Sequence, residues 1–220
     1  MPLMGSEVDL MKINRLVLGE FQTNCYVVRA DEAATDCLIV DTGLDASGLL
    51  RFLTEHELTP RAVLLTHGHA DHIVALEDVI REYPDLKVYI HKLDAGLLTD
   101  PEANLSLFAG APFTIDLDAL LVDDGDVVTE AGITLKVIHT PGHTPGGVCF
   151  YAEADGVLFA GDTLFAGSLG RSDFAGGDGE LLVQSIRTRL LSLPPETAVC
   201  PGHAMRTTIG REKASNPFLT

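Results

Sequence analysis

The sequence predicts an α+β fold in which two β-sheets pack together and helices cover their outer faces. Three observations carry that expectation. Each half of the 220-residue chain reads as several short apolar strands followed by a helical segment. No low-complexity linker or charge block separates the halves. Four patches rich in histidine and aspartate stand where an apolar strand gives way to a glycine-containing loop, so a rigid sheet would fix the roots of the loops that carry them.

Residues 12–18, 25–29 and 37–40 are short apolar runs broken by polar turns, and read as strands. Leu49, Leu50 and Leu53, followed by Leu58, recur near helical spacing and predict a helix over 46–56, capped by Asp45 or Ser47. Residues 62–65 form a continuous apolar strand. An amphipathic helix over 73–83 is stopped by Pro84, which cannot continue a helix, and 87–91 is a further strand. Residues 94–118 are the least periodic stretch and predict a short helix and a surface loop. Strands resume at 127–128, 134–138, 148–151 and 157–160, with Asp-Gly and Gly-Gly turns between them. A glycine-rich segment, 161–179, precedes a helix over 180–191. A last strand at 198–200 is followed by a short helix before Pro217.

With 46% hydrophobic residues, the chain has the composition of a folded protein with a substantial core. Its length suits residues 11–220 as a single domain, with residues 1–10 as an N-terminal extension. That extension carries Glu7 and Asp9 and lacks the basic-then-apolar order of a secretory signal. No apolar run approaches the roughly 20 residues of a membrane-spanning helix. Cys25, Cys37, Cys149 and Cys200 are widely spaced and form no C-x-x-C pair, so they read as buried, reduced thiols of a cytoplasmic protein. A formal net charge of −17 argues against nucleic acid as a partner, because its backbone is bound largely through Lys and Arg. The expected partner is a small molecule, with neither nucleic acid nor membrane.

The four patches are Thr66-His67-Gly68-His69-Ala70-Asp71-His72, Thr140-Pro141-Gly142-His143, Ala160-Gly161-Asp162-Thr163 and Pro201-Gly202-His203. Imidazole nitrogen and carboxylate oxygen are ordinary ligands of zinc and iron. Five histidines and two aspartates suit two ions that share one bridging group. His67 and His69 are two apart, so an extended chain sends both side chains to the same side. Asp71 and His72 follow at a helix start and point to a neighbouring position. One H-x-H alone is commonly structural, but H-x-H-x-D-H with three further strand-end donors marks a metal centre. A metal pair generates hydroxide at neutral pH, the demanding part of hydrolysis.

Those patches, together with Thr23-Asn24-Cys25-Tyr26, Asp41-Thr42-Gly43, Gly170-Arg171-Ser172-Asp173-Phe174 and Asn216-Pro217-Phe218, resemble the metallo-β-lactamase-fold hydrolases over about 11–218. Within them the chain is similar to the short, single-domain form of the glyoxalase II (hydroxyacylglutathione hydrolase) branch. The resemblance implies a four-layer αββα sandwich in which His67, His69 and His143 hold one metal. It implies that Asp71, His72 and His203 hold a second and that Asp162 bridges the two. It further implies a dinuclear hydrolase that cleaves a thioester such as S-lactoylglutathione by attack of a metal-bound hydroxide, which the catalytic Asp71 orients while serving as a ligand. Zinc is the first expectation for both divalent ions, and the same donors accept iron or manganese. The commonest lactamase subclass carries cysteine where this chain has Asp162 and arginine where it has His72, so antibiotic hydrolysis is a poor first expectation. The alternatives are a mononuclear iron persulfide dioxygenase using His67, His143 and Asp162, a lactone or ester hydrolase, and a non-catalytic metal-binding module. Retention of all seven donors disfavours the last.

Arg171 is the expected substrate-binding residue, because family members carry a basic residue at the comparable place to hold glutathione. A guanidinium there could grip a carboxylate with two hydrogen bonds; the alternative is a surface pair with Asp173 or Asp178. Asp41 reads either as the partner that orients a ligand imidazole or as a cap for its own loop. His139 is a donor behind the ligands or a structural residue, and His56 and His91 are surface or strand-end residues. Two departures bear on the substrate. The sequence stops at Thr220, where longer glyoxalase II enzymes continue into a helical domain that contributes to glutathione binding. Ala204-Met205-Arg206 stands where relatives usually have Gly-Pro and a variable residue.

Overall fold

The computed structural model describes residues 11–220, and the expected N-terminal extension, 1–10, lies outside the described residues. The first sheet contains β1 (Lys12–Leu18), β2 (Thr23–Arg29), β3 (Asp36–Val40), β4 (Thr59–Leu64), β5 (Lys87–His91) and β6 (Leu120–Val122), hydrogen-bonded in that order. β1, β2 and β3 are antiparallel, and β3 to β6 run parallel. The second sheet contains β7 (Val127–Glu130), β8 (Ile133–His139), β9 (Val148–Ala152) and β10 (Val157–Gly161). After the small hairpin of β11 (Leu164–Phe165) and β12 (Ser168–Leu169), β13 (Ala198–Pro201) and β14 (Thr207–Thr208) complete it in the order β14-β13-β10-β9-β8-β7. β10 and β13 are parallel neighbours, so the residues following both strands leave at one edge.

The alternation of side chains along the strands sorts the molecule into layers. Leu38 and Val40 of β3 face the second sheet and pack with Val137, Phe150 and Phe159. Cys37 and Ile39, one residue out of phase, face outward onto Leu49 and Leu53 of α1 (Ala46–Glu55). The second sheet divides in the same way: Phe159 points inward, while Leu158 and Ala160 pack outward against helices further along the chain. The layers are therefore helix, sheet, sheet, helix. Asp45 caps α1, its side chain accepting from Gly48 N.

The helix expected over 73–83 is two helices, α2 (Ala70–Ile73) and α3 (Leu76–Glu82). The His72 carbonyl accepts from the Thr42 amide (2.8 Å) and from Thr42 Oγ1 (3.0 Å), which withdraws it from the helical ladder. The helix expected over 180–191 is α4 (Gly179–Ser185) continued by a π-turn, Ile186–Leu190. Leu182, Ile186 and Leu190 cover the second sheet together with Ile209 of α5 (Ile209–Ser215). Four strands were not expected. β6 is a three-residue edge strand with Leu120 and Leu121 exposed, and β11, β12 and β14 are two residues each, too short to carry a periodic signal.

The β11–β12 hairpin is tied down by a buried acid. Glu212 of α5 accepts from Gly167 N (2.8 Å), Asn216 Nδ2 (2.9 Å) and Thr207 Oγ1 (2.5 Å).

Candidate metal centre

His67, His69, Asp71 and His72 follow β4, His143 follows β8, Asp162 follows β10 and His203 follows β13. The structure brings all seven together. His143 Nε2 lies 2.9 Å from His69 Nδ1 and 3.2 Å from His67 Nε2. His203 Nε2 lies 3.1 Å from Asp71 Oδ2, and His72 Nε2 lies 3.5 Å from that same oxygen. The Asp162 carboxylate spans the two groups. Its Oδ1 is 3.4 Å from His72 Nε2, and its Oδ2 is 3.5 Å from His203 Nε2 and 3.7 Å from His143 Nε2.

The outer nitrogens of four histidines are committed, which decides what the inner ones present. Thr66 Oγ1 donates its single proton to Asp41 Oδ2 (2.8 Å), so it accepts from His67 Nδ1 (3.1 Å). His72 Nδ1 donates to Asp41 Oδ2 (2.9 Å), His143 Nδ1 to the Arg171 carbonyl (2.5 Å) and His203 Nδ1 to the Phe21 carbonyl (3.1 Å). With its outer nitrogen so committed, each of these rings has Nε2 directed inward and free to serve as a metal ligand once it carries no proton. His69 instead offers Nδ1. His72 Nε2 and Asp162 Oδ1 are buried without any hydrogen-bond partner. Buried acceptors left bare are uncommon and costly, and a shared cation satisfies them both. The donor set fits one ion among His67, His69 and His143, and another among Asp71, His72 and His203, with Asp162 between them.

Burial lowers the pKa of His67 far below that of a free imidazole, and burial followed by the neighbouring His143 takes His69 down to about 3. For His72, burial opposes charging, but Asp71, Asp41 and Asp162 together outweigh it and raise the pKa. Burial also opposes ionisation of Asp71 and Asp162. His72 and the other imidazoles prevail, and both carboxyls lie below the ordinary carboxylate range.

Asp41 occupies a left-handed backbone position (φ 55°) and also accepts from Thr66 N at 2.8 Å, so one carboxylate orients His72 and the root of the His67 segment. Asp94 was missed by the sequence reading. It is buried, and its Oδ2 accepts from Thr144 Oγ1 (2.7 Å) and Gly68 N (3.3 Å), its Oδ1 from Gly146 N (2.6 Å). It thereby joins the loop of His67 and His69 to the loop of His143. No spacing rule marks it, since its partners lie 26 to 52 residues away.

A cavity of about 520 Å³ opens onto His69, Asp71, His143, Asp162 and His203. Its walls are Phe21, Leu105, Phe108, Phe165, Leu169 and Phe174, with Arg171 at the side. The Arg171 guanidinium donates to both carboxylate oxygens of Asp173, at 2.9 and 2.7 Å, and lies 4.3 Å from the centre of the Phe174 ring. His139 Nε2 lies 2.9 Å from the Pro145 carbonyl, with its ring stacked on His91 at 4.2 Å, and it touches no ligand. His91 ends β5 and is buried, whereas His56 is exposed and stacks on Phe52. All four cysteines are free and buried.

The pattern of the metallo-beta-lactamase superfamily matches residues 18–203. The chain belongs to that superfamily. It is 36% identical over 214 residues to the hydroxyacylglutathione hydrolase GloC of Haemophilus influenzae, covering 95% of this chain and 98% of that protein. Among solved structures it is similar to the BLEG-1 B3 metallo-beta-lactamase, with 42% identity and a TM-score of 0.89 over 95% of this chain and 100% of the other. It also resembles TTHA1623 in a di-iron-bound form, at 39% identity and a TM-score of 0.82, covering 94% and 100% of the two chains. The superfamily member is thus a metal-dependent hydrolase. No helix among the described residues is long and apolar enough to cross a membrane.

Proposed function

We propose that this protein is a dinuclear metal-dependent thioester hydrolase, with S-lactoylglutathione as the first substrate to test. The observation that carries the reading is the set of seven donors, two groups of three with the Asp162 carboxylate between them. The identity with GloC supports the thioester class. His67, His69 and His143 would hold one ion and Asp71, His72 and His203 the other. A bound pair of divalent ions, zinc first and iron or manganese next, supplies hydroxide from water near neutral pH and polarises the carbonyl under attack.

The chain's own residues position the reactants. Asp71 is ionised, lines the cavity and accepts from Thr23 Oγ1 at 2.9 Å, so its carboxylate is a fixed acceptor for the O–H of an incoming water. The aromatic walls offer apolar contact to the groups flanking the carbonyl. In the reaction a C–O bond forms from water, the C–S bond breaks, and a carboxylate, a thiol and one proton are released. The departing thiolate is a stable anion and needs no dedicated acid. Four buried free thiols suit a reducing compartment such as the cytoplasm.

Elemental analysis combined with thioester hydrolysis and oxygen uptake tests the reading. Two metal ions per chain, thioester cleavage and no oxygen uptake are expected. One iron per chain with oxygen consumed on a glutathione persulfide would instead establish the dioxygenase alternative. The BLEG-1 likeness favours one second reading, β-lactam hydrolysis, and a chromogenic cephalosporin in the same assay decides between them.

A further inference from the structure

We infer that the site is shaped for a thioester carrying an extended apolar chain, uncharged at its far end, rather than for one recognised through carboxylates. The inference rests on the hydrolase reading for the bond that is cleaved, and on the cavity for what surrounds it. Leu105, Phe108 and Phe174 of the cavity wall also line a second, adjoining cavity of about 390 Å³. An occupant that starts at the donors and runs along these three side chains lies against apolar surface. Phe108 is 71% exposed and Phe21 at the mouth 56% exposed, so an apolar chain lying there removes from water surface that the fold itself leaves uncovered.

The charges point the same way. Among the described residues lining either cavity, Arg171 is the only Lys or Arg, and both carboxylate oxygens of Asp173 already engage it. The far cavity is also lined by Glu102 and Asp173. A substrate carboxylate arriving there meets two acids and must displace or share an ion pair, on a chain of formal charge −17. A methylene chain meets no such opposition.

The chain could belong to the acyl half of the thioester or to its thiol half, and paired substrate series separate these sources. With zinc-loaded enzyme, kcat/KM is measured for N-acetylcysteamine thioesters of acetate, butanoate, hexanoate and octanoate, and for acetyl thioesters of alkanethiols of matching length. One series rises by about fourfold per buried methylene until the cavities are full; the other identifies the half that stays outside. Phe108→Ala flattens the rising series. An acyl chain ending in a carboxylate is a poor substrate, and Asp173→Asn improves it by removing one acid and releasing Arg171. Two flat series, or S-lactoylglutathione outperforming the best apolar substrate, would overturn the inference. If metal-loaded enzyme cleaves no thioester, the hydrolase reading fails, and the cavity is judged by binding instead. Affinity for S-alkyl thioether analogues, measured by calorimetry, then either rises with chain length and upholds the apolar path, or is flat and rejects it.

Discussion

His67, His69, Asp71 and His72 leave one short segment, whereas His143, Asp162 and His203 leave three separate strand ends. The two groups are also held differently. The first rests on side-chain hydrogen bonds from below: Asp41 holds Thr66 and His72, and Asp94 holds Gly68. The second leans more on backbone, with the carbonyls of Arg171 and Phe21 fixing His143 and His203 and Gly202 admitting close approach, while Asp94 also reaches the His143 loop through Thr144 and Gly146. At Gly202 a methyl group would collide with Asp162 Oδ1 and come within 2.7 Å of His72 Cε1. The difference teaches that the first half depends on carboxylates at its base, while in the second added volume at Gly202 reaches the donors themselves.

Removing the residue common to both halves has the largest effect. Asp162→Ala loses most of the bound metal from both positions, and turnover falls with it; elemental analysis after gel filtration reads this directly. Two ions retained with wild-type turnover would remove Asp162 from its bridging place. Gly202→Ala comes next. Overpacking costs about 1–3 kcal/mol, and here the displaced atoms are donors, so metal content and thermal midpoint both fall. A variant with wild-type metal content would show that the backbone yields there.

Asp41→Asn tests the opposite kind of support. Asparagine accepts the left-handed backbone but lacks a second acceptor oxygen for both Thr66 and His72. Metal affinity falls by about 10–100-fold while the fold persists, as read by competition with a chromophoric chelator and by circular dichroism. Asp94→Asn has a smaller effect, near the tenfold end of that range. Burial raises the Asp94 pKa, although its three hydrogen bonds oppose the rise. Between the ordinary carboxyl value and the raised one, the folded protein binds the extra proton. Wild-type stability relative to Asp94→Asn is therefore greatest at the acid side of that window and declines as pH rises through it. Urea midpoints from pH 4 to pH 7 give the sign, and a widening gap toward neutrality would contradict it. The smallest effect is at Arg171. Its exposed pair with Asp173 contributes little, so Arg171→Ala shifts KM for glutathione thioesters by less than about threefold. A rise well beyond that, confined to substrates with carboxylates, would support the expected carboxylate grip.

The legibility of the sequence follows the same division. The layered α+β order was readable because β3, β4 and β8 to β10 are long enough for their apolar runs to stand out. The His67–His72 segment was readable because its donors are adjacent in the chain. The three remaining donors were recoverable from their glycine neighbours, each at the end of an apolar run. Asp94 was not, because its work is done across the two sheets and leaves no local pattern. The break between α2 and α3 was hidden for a related reason: it depends on Thr42, thirty residues upstream of the His72 carbonyl it engages. The commitment of Arg171 to Asp173 was one of two expected outcomes, and only side-chain geometry distinguishes them.

The β11–β12 hairpin, anchored through Gly167 to Glu212, supplies Phe165 and Leu169 to the cavity wall but none of the seven donors. Phe108 and Leu105 likewise come from a segment without donors. The cavity wall thus draws on residues that are not metal donors, although the hairpin lies between Asp162 and the Arg171 carbonyl that fixes His143. An engineer can vary Phe165 while keeping Gly167, which reaches Glu212, and screen for new substrates with metal content read for each member.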